Sequence, residues 1–245
     1  MRLFLTSSPC DDRVPEGVSL PCILNEANGF VKRMSEGWKP ESRGLIISAY
    51  PDHFAMNDEM KDTFYKAFSY YGMTFSCMDI CDSRNEADAD RLIAQSDMII
   101  LAGGHVPTQN AFFRRIGLKE RIRGYAGTVM GISAGTMNCA ETVYAQPEEE
   151  GESVDPSYER FIPGLGLTDV MILPHYQKVK DYYLDGQRLY EDITYKDSMG
   201  RKFYALVDGS YVLVQDGKTR ICGLAYLISD GVLTQICSEG EELEL

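Results

Sequence analysis

The stretch Thr128-Val129-Met130-Gly131-Ile132-Ser133-Ala134-Gly135 decides how this chain folds. It spells G-x-S-x-G directly after an apolar run, and a helix-permissive run extends from Ala134 to Tyr144. Strand, tight turn with serine at its apex, then helix is the context a nucleophile elbow requires. The turn pushes the serine side chain out of the sheet edge, and the flanking glycines let backbone pass close by without a Cβ. A helix starting at the serine turns its free N–H groups and positive end toward the place where an oxyanion would form.

Working outward, strand and helix signals alternate. The apolar runs Leu3-Phe4-Leu5, Gly44 to Tyr50, Met73 to Met78, Met98 to Ala102, 128–132 and Val170 to Leu173 read as strands. Between them, Asn57 to Tyr71 is an amphipathic helix with Asn57 as its N-cap, Glu86 to Gln95 is a second, and Asn110 to Arg123 a third, broken by Gly117. Lys178 to Asp192 reads as a polar helix and Glu148 to Asp155 as an acidic surface loop. Continuous apolar strands separated by helices imply a mostly parallel sheet covered on both faces. The period changes near the C-terminus. Phe203 to Val207, Tyr211 to Gln215, Ile221 to Leu227 and Val232 to Ile236 are short strands. Asp208-Gly209, Asp216-Gly217 and Asp230-Gly231 mark hairpin turns among them. No repeat, low-complexity segment or linker divides the 245 residues, so one α/β domain spanning 1–245 is expected.

Composition excludes several function classes. The formal net charge is −13, with acidic residues spread throughout, which argues against nucleic acid and anionic membranes as partners. No apolar run is long enough to span a bilayer, and the apolar N-terminal stretch is too short for a signal peptide. The seven cysteines (Cys10, Cys22, Cys77, Cys81, Cys139, Cys222, Cys237) show neither C-x-x-C nor zinc spacing. Free thiols without an export signal place the chain in a reducing cytoplasm.

A serine nucleophile needs a base, and the chain has three histidines. His175 ends the strand 170–173, and so lies at the carboxyl edge where open α/β sheets gather their reactive groups, the edge of Ser133. His105 follows the strand 98–102 and its glycine pair and faces the same region; His53 is the least constrained. The backbone N–H of Gly104, with that of Ala134, is placed to form an oxyanion hole.

The segments Leu101-Ala102-Gly103-Gly104-His105-Val106-Pro107-Thr108-Gln109, Gly131-Ile132-Ser133-Ala134-Gly135 and Leu173-Pro174-His175-Tyr176 together resemble the S51 serine peptidases, the family of aspartyl dipeptidase (peptidase E) and cyanophycinase. The order and spacing agree from about Met1 to Val214. The resemblance implies a flavodoxin-like fold similar to that of the class I glutamine amidotransferases, in which the elbow residue is cysteine rather than serine. It implies a Ser-His-carboxylate triad with Ser133 attacking and His175 taking its proton. The family's acid follows a late strand, and Asp208 stands there in place of the usual Glu, one methylene shorter. Glu148, Glu149, Glu150 and Glu152, between serine and histidine, are alternative acids. The resemblance also implies an arginine beyond the histidine that holds a substrate carboxylate, with Arg188 the nearest match and Lys178 and Lys180 as alternatives. His105-Val106-Pro107 stands where the dipeptidases have Gly-Asn-Thr, which makes His105 a substrate-binding position and points to a substrate other than Asp-Xaa. The expected activity is hydrolysis of a short peptide or isopeptide bond by a monomer or homodimer, without metal or organic cofactor. A glutaminase-type amidase on the same scaffold and a binding protein with a decayed site are the alternatives.

Overall fold

A computed structural model describes residues 1–11 and 13–245. Its central sheet has eight strands in the spatial order Glu242–Glu244, Lys218–Cys222, Tyr211–Gln215, Arg2–Thr6, Thr128–Ile132, Met98–Leu101, Ser42–Ile47, Phe75–Cys81. The last five of these run parallel, and the first three join antiparallel. The parallel strands are apolar on both faces because both are covered. Leu3, Leu5, Leu45, Ile47, Ile99 and Leu101 enter one core, whereas Phe4, Ile46, Ile100 and Met130 enter the other. This is the mostly parallel, helix-flanked α/β architecture that the alternating elements imply.

A second sheet, of four strands, was not legible in the sequence. Its order is Met171–Leu173, Lys202–Leu206, Ala225–Ser229, Val232–Cys237. The first pair is parallel and the others antiparallel. A third core containing Val106, Ala134, Met137, Tyr144, Leu173 and Phe203 packs this sheet beside the serine turn.

Several elements differ from the sequence reading. The helix after Ser133 is a single turn, Ala134–Met137, and Thr142–Tyr144 is a strand paired with Phe161–Pro163. A β-branched pair and a tyrosine favour that outcome, and the buried Asn138 amide caps Val106 O instead of continuing a helix. Residues 178–192 are not one helix. A turn at Tyr176–Val179 leads into a hairpin of Tyr183–Leu184 with Gln187–Arg188, and then a π-helical segment Leu189–Thr194. Asp185-Gly186 at its tip, both at positive φ, is the same Asp-Gly turn signal found further on. The helix expected from Asn57 begins at Phe54, and Asn57 is buried inside it, bonding Ser48, the Tyr50 carbonyl and Asp82. The third helix begins earlier too, at Val106, and its proline is tolerated in the first turn. The run Ile221 to Leu227 divides at Gly223 between the two sheets.

Most consequential is Asp208-Gly209. Asp216-Gly217 and Asp230-Gly231 do close hairpins, but Asp208-Gly209 does not. It carries the chain from Lys202–Leu206 in the second sheet to Tyr211–Gln215 in the first. The crossing sets Asp208 between the two sheets, at the carboxyl end of the strand neighbouring Met171–Leu173.

Candidate active site

Ser133 sits between strand and helix with φ 50° and ψ −112°, a conformation that L-residues rarely adopt. The surroundings hold it there. Its N–H donates to Thr6 O at 3.2 Å, and its carbonyl accepts the Met137 N–H at 3.0 Å. The flanking glycines serve close approach. A Cβ on Gly135 would lie 2.2 Å from Leu101 O, and one on Gly131 would lie 2.7 Å from Thr136 Cα. Gly103 runs beside the serine, where a Cβ would meet Ser133 Cβ at 3.5 Å, and a Cβ on Gly104 would stand 2.6 Å from Ala49 Cβ. With only one helical turn after Ser133, any anion stabilisation rests on individual amides more than on a helix dipole.

Ser133 Oγ lies 3.0 Å from His175 Nε2. The other ring nitrogen, Nδ1, lies 2.6 Å from Asp208 Oδ1. His175 is itself at positive φ, 58°, at the turn into Tyr176–Val179, and its N–H donates to Ser7 Oγ at 2.7 Å. That same Ser7 hydroxyl donates to Asp208 Oδ1 at 2.8 Å, and Lys178 Nζ donates to Oδ2 at 2.8 Å. Burial by itself would raise the Asp208 carboxyl. The hydrogen bonds from His175 and Lys178, the charge of His175 and the bond from Ser7 outweigh it and hold the group well below the usual carboxylate range. Ser7 was missed by the sequence reading. It follows the first strand with nothing in its neighbours to mark it, and only the pairing of Arg2–Thr6 beside Thr128–Ile132 brings it to the site.

The other expected positions lie apart from this line. His105 is buried and its ring is engaged on both sides, Nδ1 with Thr108 Oγ1 at 2.7 Å and Nε2 with Glu152 Oε1 at 2.8 Å. Its N–H donates to Tyr50 Oη. Glu152 thus meets His105, not His175, and its second oxygen accepts the N–H groups of Glu148 and Glu149. Arg188 is exposed, and its guanidinium forks onto Asp192, with both contacts at 2.9 Å. As a carboxylate clamp it would have to exchange that partner for substrate. Lys178, offered as another clamp, instead holds Asp208.

A family model, "Peptidase family S51", matches residues 51–222, a span that contains the serine turn, His175 and Asp208. The chain belongs to peptidase family S51. No curated protein matches it closely in sequence. Among solved structures, it is similar to a peptidase from an acI-B1 Actinobacterium (TM-score 0.67, 16% identity, covering 100% of this chain and 96% of that one). It is also similar to a putative Peptidase E protein from Listeria monocytogenes EGD-e (TM-score 0.59, 14% identity, covering 96% and 98%). At such identity these neighbours speak to the fold.

Within this S51 peptidase, Cys139 stands six residues past the serine but is buried, and burial pushes its thiol far up, away from a reactive thiolate. Among the described residues, His105, Glu149 and Glu152 bring ligand atoms within 4.8 Å of one another and could gather around a cation. As arranged they form a hydrogen-bonded latch between the loop at 148–152 and the segment after Gly104. The cavity of about 780 Å³ lined by Lys32, Arg33, Leu213, Lys218 and Arg220 shares no residue with the Ser133–His175–Asp208 line. No helix among the described residues is long and apolar enough to cross a membrane.

Proposed function

We propose that this S51 peptidase is a serine hydrolase cleaving short peptide or isopeptide bonds in the manner of a dipeptidase, with Ser133 as nucleophile, His175 as general base and Asp208 as the acid that orients the imidazole. The observation that carries this reading is the unbroken line from Ser133 Oγ through His175 Nε2 and Nδ1 to Asp208 Oδ1, at 3.0 and 2.6 Å. A carboxylate on Nδ1 fixes that nitrogen as the protonated one and leaves Nε2 free to accept the serine proton. As Oγ bonds to the scissile carbonyl carbon, its proton passes to Nε2, and the imidazolium is stabilised by Asp208. The carbonyl oxygen becomes an oxyanion. The N–H groups of Ala134 and Gly104, which donate to no acceptor among the described residues, are the donors available to it. His175 then returns its proton to the departing amine, leaving an acyl-serine. Water, deprotonated by the same nitrogen, hydrolyses that ester and restores Ser133.

Seven free thiols accord with a reducing, cytoplasmic setting for this chemistry. The paired state of Arg188 weakens the case for a substrate that must present an acidic side chain to that residue.

The test is labelling with a fluorophosphonate probe, read by intact mass and peptide mapping, followed by turnover of a dipeptide library. Labelling at Ser133, abolished in Ser133→Ala, is the expected result. Ser133→Ala should also cut hydrolysis by roughly 10⁶-fold, the loss seen when a triad serine is removed. An unlabelled wild-type chain, or a Ser133→Ala protein with more than a tenth of the activity, would overturn the reading.

A further inference from the structure

We propose that Ser7 is a positioning residue for the Ser133–His175–Asp208 line, joining the acid and the base of one sheet to the nucleophile of the other; this rests on the serine hydrolase reading above.

Three observations converge on the end of the first strand. Ser7 is completely buried, and its hydroxyl is used in both directions, donating to Asp208 Oδ1 at 2.8 Å and accepting the His175 N–H at 2.7 Å. The residue before it does the same for the nucleophile: Thr6 O accepts the Ser133 N–H at 3.2 Å and the Thr136 hydroxyl at 2.8 Å, while Thr6 Oγ1 donates to Gly131 O at 2.7 Å. His175 and Asp208 belong to ends of the second sheet, whereas Ser133 belongs to the first. Thr6-Ser7 is therefore a two-residue bridge across which the nucleophile and its base are registered. Without it, the 3.0 Å contact between Ser133 and His175 would depend on packing between sheets.

The chemistry of the acid gives the bridge a further role. An aspartate has fewer rotatable bonds than a glutamate and less reach. Its Oδ1 must point at His175 Nδ1, and the Ser7 O–H, arriving at that same oxygen, selects the required rotamer. Lys178 Nζ holds the opposite oxygen at 2.8 Å, but that side chain is 65% exposed, and exposed ion pairs are weak and entropically costly. The buried hydroxyl, shielded from water, is fixed in direction where the exposed lysine is not. It also holds His175 at φ 58°, a backbone state that needs external support.

The experiment uses the full chain, with fluorophosphonate labelling kinetics as one readout and the downfield proton resonance of His175 Nδ1–H as the other. Ser7→Ala should slow labelling about 10- to 100-fold through the maximal rate, with the probe's half-saturation unmoved, the equivalent of one lost buried hydrogen bond to a charged group. It should also shift or broaden the His175 resonance. Ser7→Thr, which keeps the hydroxyl, should restore both. In an Asp208→Asn background, Ser7→Ala should add less than about threefold, because a residue that acts through Asp208 has nothing left to position. An equal loss in both backgrounds would mean a general packing role and overturn the proposal. So would a Ser7→Ala protein with wild-type labelling and an unchanged resonance. If the wild-type chain is not labelled at all, the hydrolase reading fails. The resonance still judges Ser7: an unchanged signal in Ser7→Ala refutes the positioning role, and a lost one sustains it.

Discussion

Of the seven non-glycine residues at positive φ among the described residues, two, Ser133 and His175, belong to the candidate site. Ser133 at φ 50° and His175 at φ 58° are held by hydrogen bonds that their N–H groups donate to Thr6 O and Ser7 Oγ. Strain of this kind costs on the order of 1–3 kcal/mol per residue. Ser133→Gly should therefore raise the unfolding free energy by about 1 kcal/mol while abolishing probe labelling, since glycine relieves the strain but loses some of that gain in chain entropy. Urea denaturation checks it, and a destabilised glycine variant would show that the turn is relaxed. At Asp208 the expectation is kinetic. Asp208→Asn presents an amide that can donate to His175 Nδ1 and so favours the wrong tautomer; labelling should fall by up to about 10⁴-fold. A fall of less than threefold would remove Asp208 from the mechanism. The Asp208 carboxyl is held below its unfolded value, so its contribution to stability is full above about pH 4 and is lost as pH falls further. The stability difference between wild type and Asp208→Asn should shrink accordingly in acid.

At the scale of elements, the loop from Glu148 to Asp155 and the hairpin around Asp185-Gly186 form one unit. Asp185 accepts the N–H groups of Gly151 and Ser153, and Glu152 ties the loop to His105. Glu148 keeps an exposed edge, yet its carboxyl is pushed from its ordinary 4.5 to about 7 by desolvation and by the neighbouring charges of Glu152 and Glu149. The sign is opposite to that at Asp208. A carboxyl with a raised folded pKa binds its proton more tightly in the native state, so stability falls as pH rises from about 4.5 to about 7. Glu148→Gln should leave the thermal midpoint unchanged near pH 4 and raise it above pH 7. A Gln variant no more stable than wild type at pH 8 would show that the loop opens to relieve the carboxyl.

For the whole molecule, the site lies where two sheets meet, so its integrity depends on the core between them. Phe203 is fully buried in the strand that leads to Asp208, and stacks on Tyr144 with ring centroids 4.4 Å apart. Phe203→Ala should cost about 3–5 kcal/mol through the cavity it leaves. If the sheets move relative to one another, labelling should fall well beyond the fraction of unfolded chain. Denaturant titration with parallel labelling separates the two effects. Full labelling of the folded variant would mean that the Thr6-Ser7 bridge alone suffices to register the line.

The sequence by itself determined the mostly parallel sheet, the serine turn, and that Ser133 and His175 each follow the carboxyl end of a strand; the expectation that both strands share one sheet was wrong, since Met171–Leu173 belongs to the second sheet. The features read correctly follow from local periodicity and from where strands stop: Gly131 and Gly135 announce a close approach, and Pro174-His175 ends a run of apolar residues. Tertiary structure alone decided the rest. Asp208-Gly209 carries the same local signal as the two Asp-Gly hairpins after it, and nothing short of strand pairing distinguishes a hairpin from a crossing between sheets. Ser7 looks like any serine after a strand until a partner 201 positions away meets its hydroxyl. Arg188 and His105 were legible as polar groups near the right edges, but the carboxylates that engage them, Asp192 and Glu152, were not assignable as their partners. Turn chemistry and periodicity are properties of neighbouring residues. Which polar groups pay off one another's burial is settled only when distant segments are packed together.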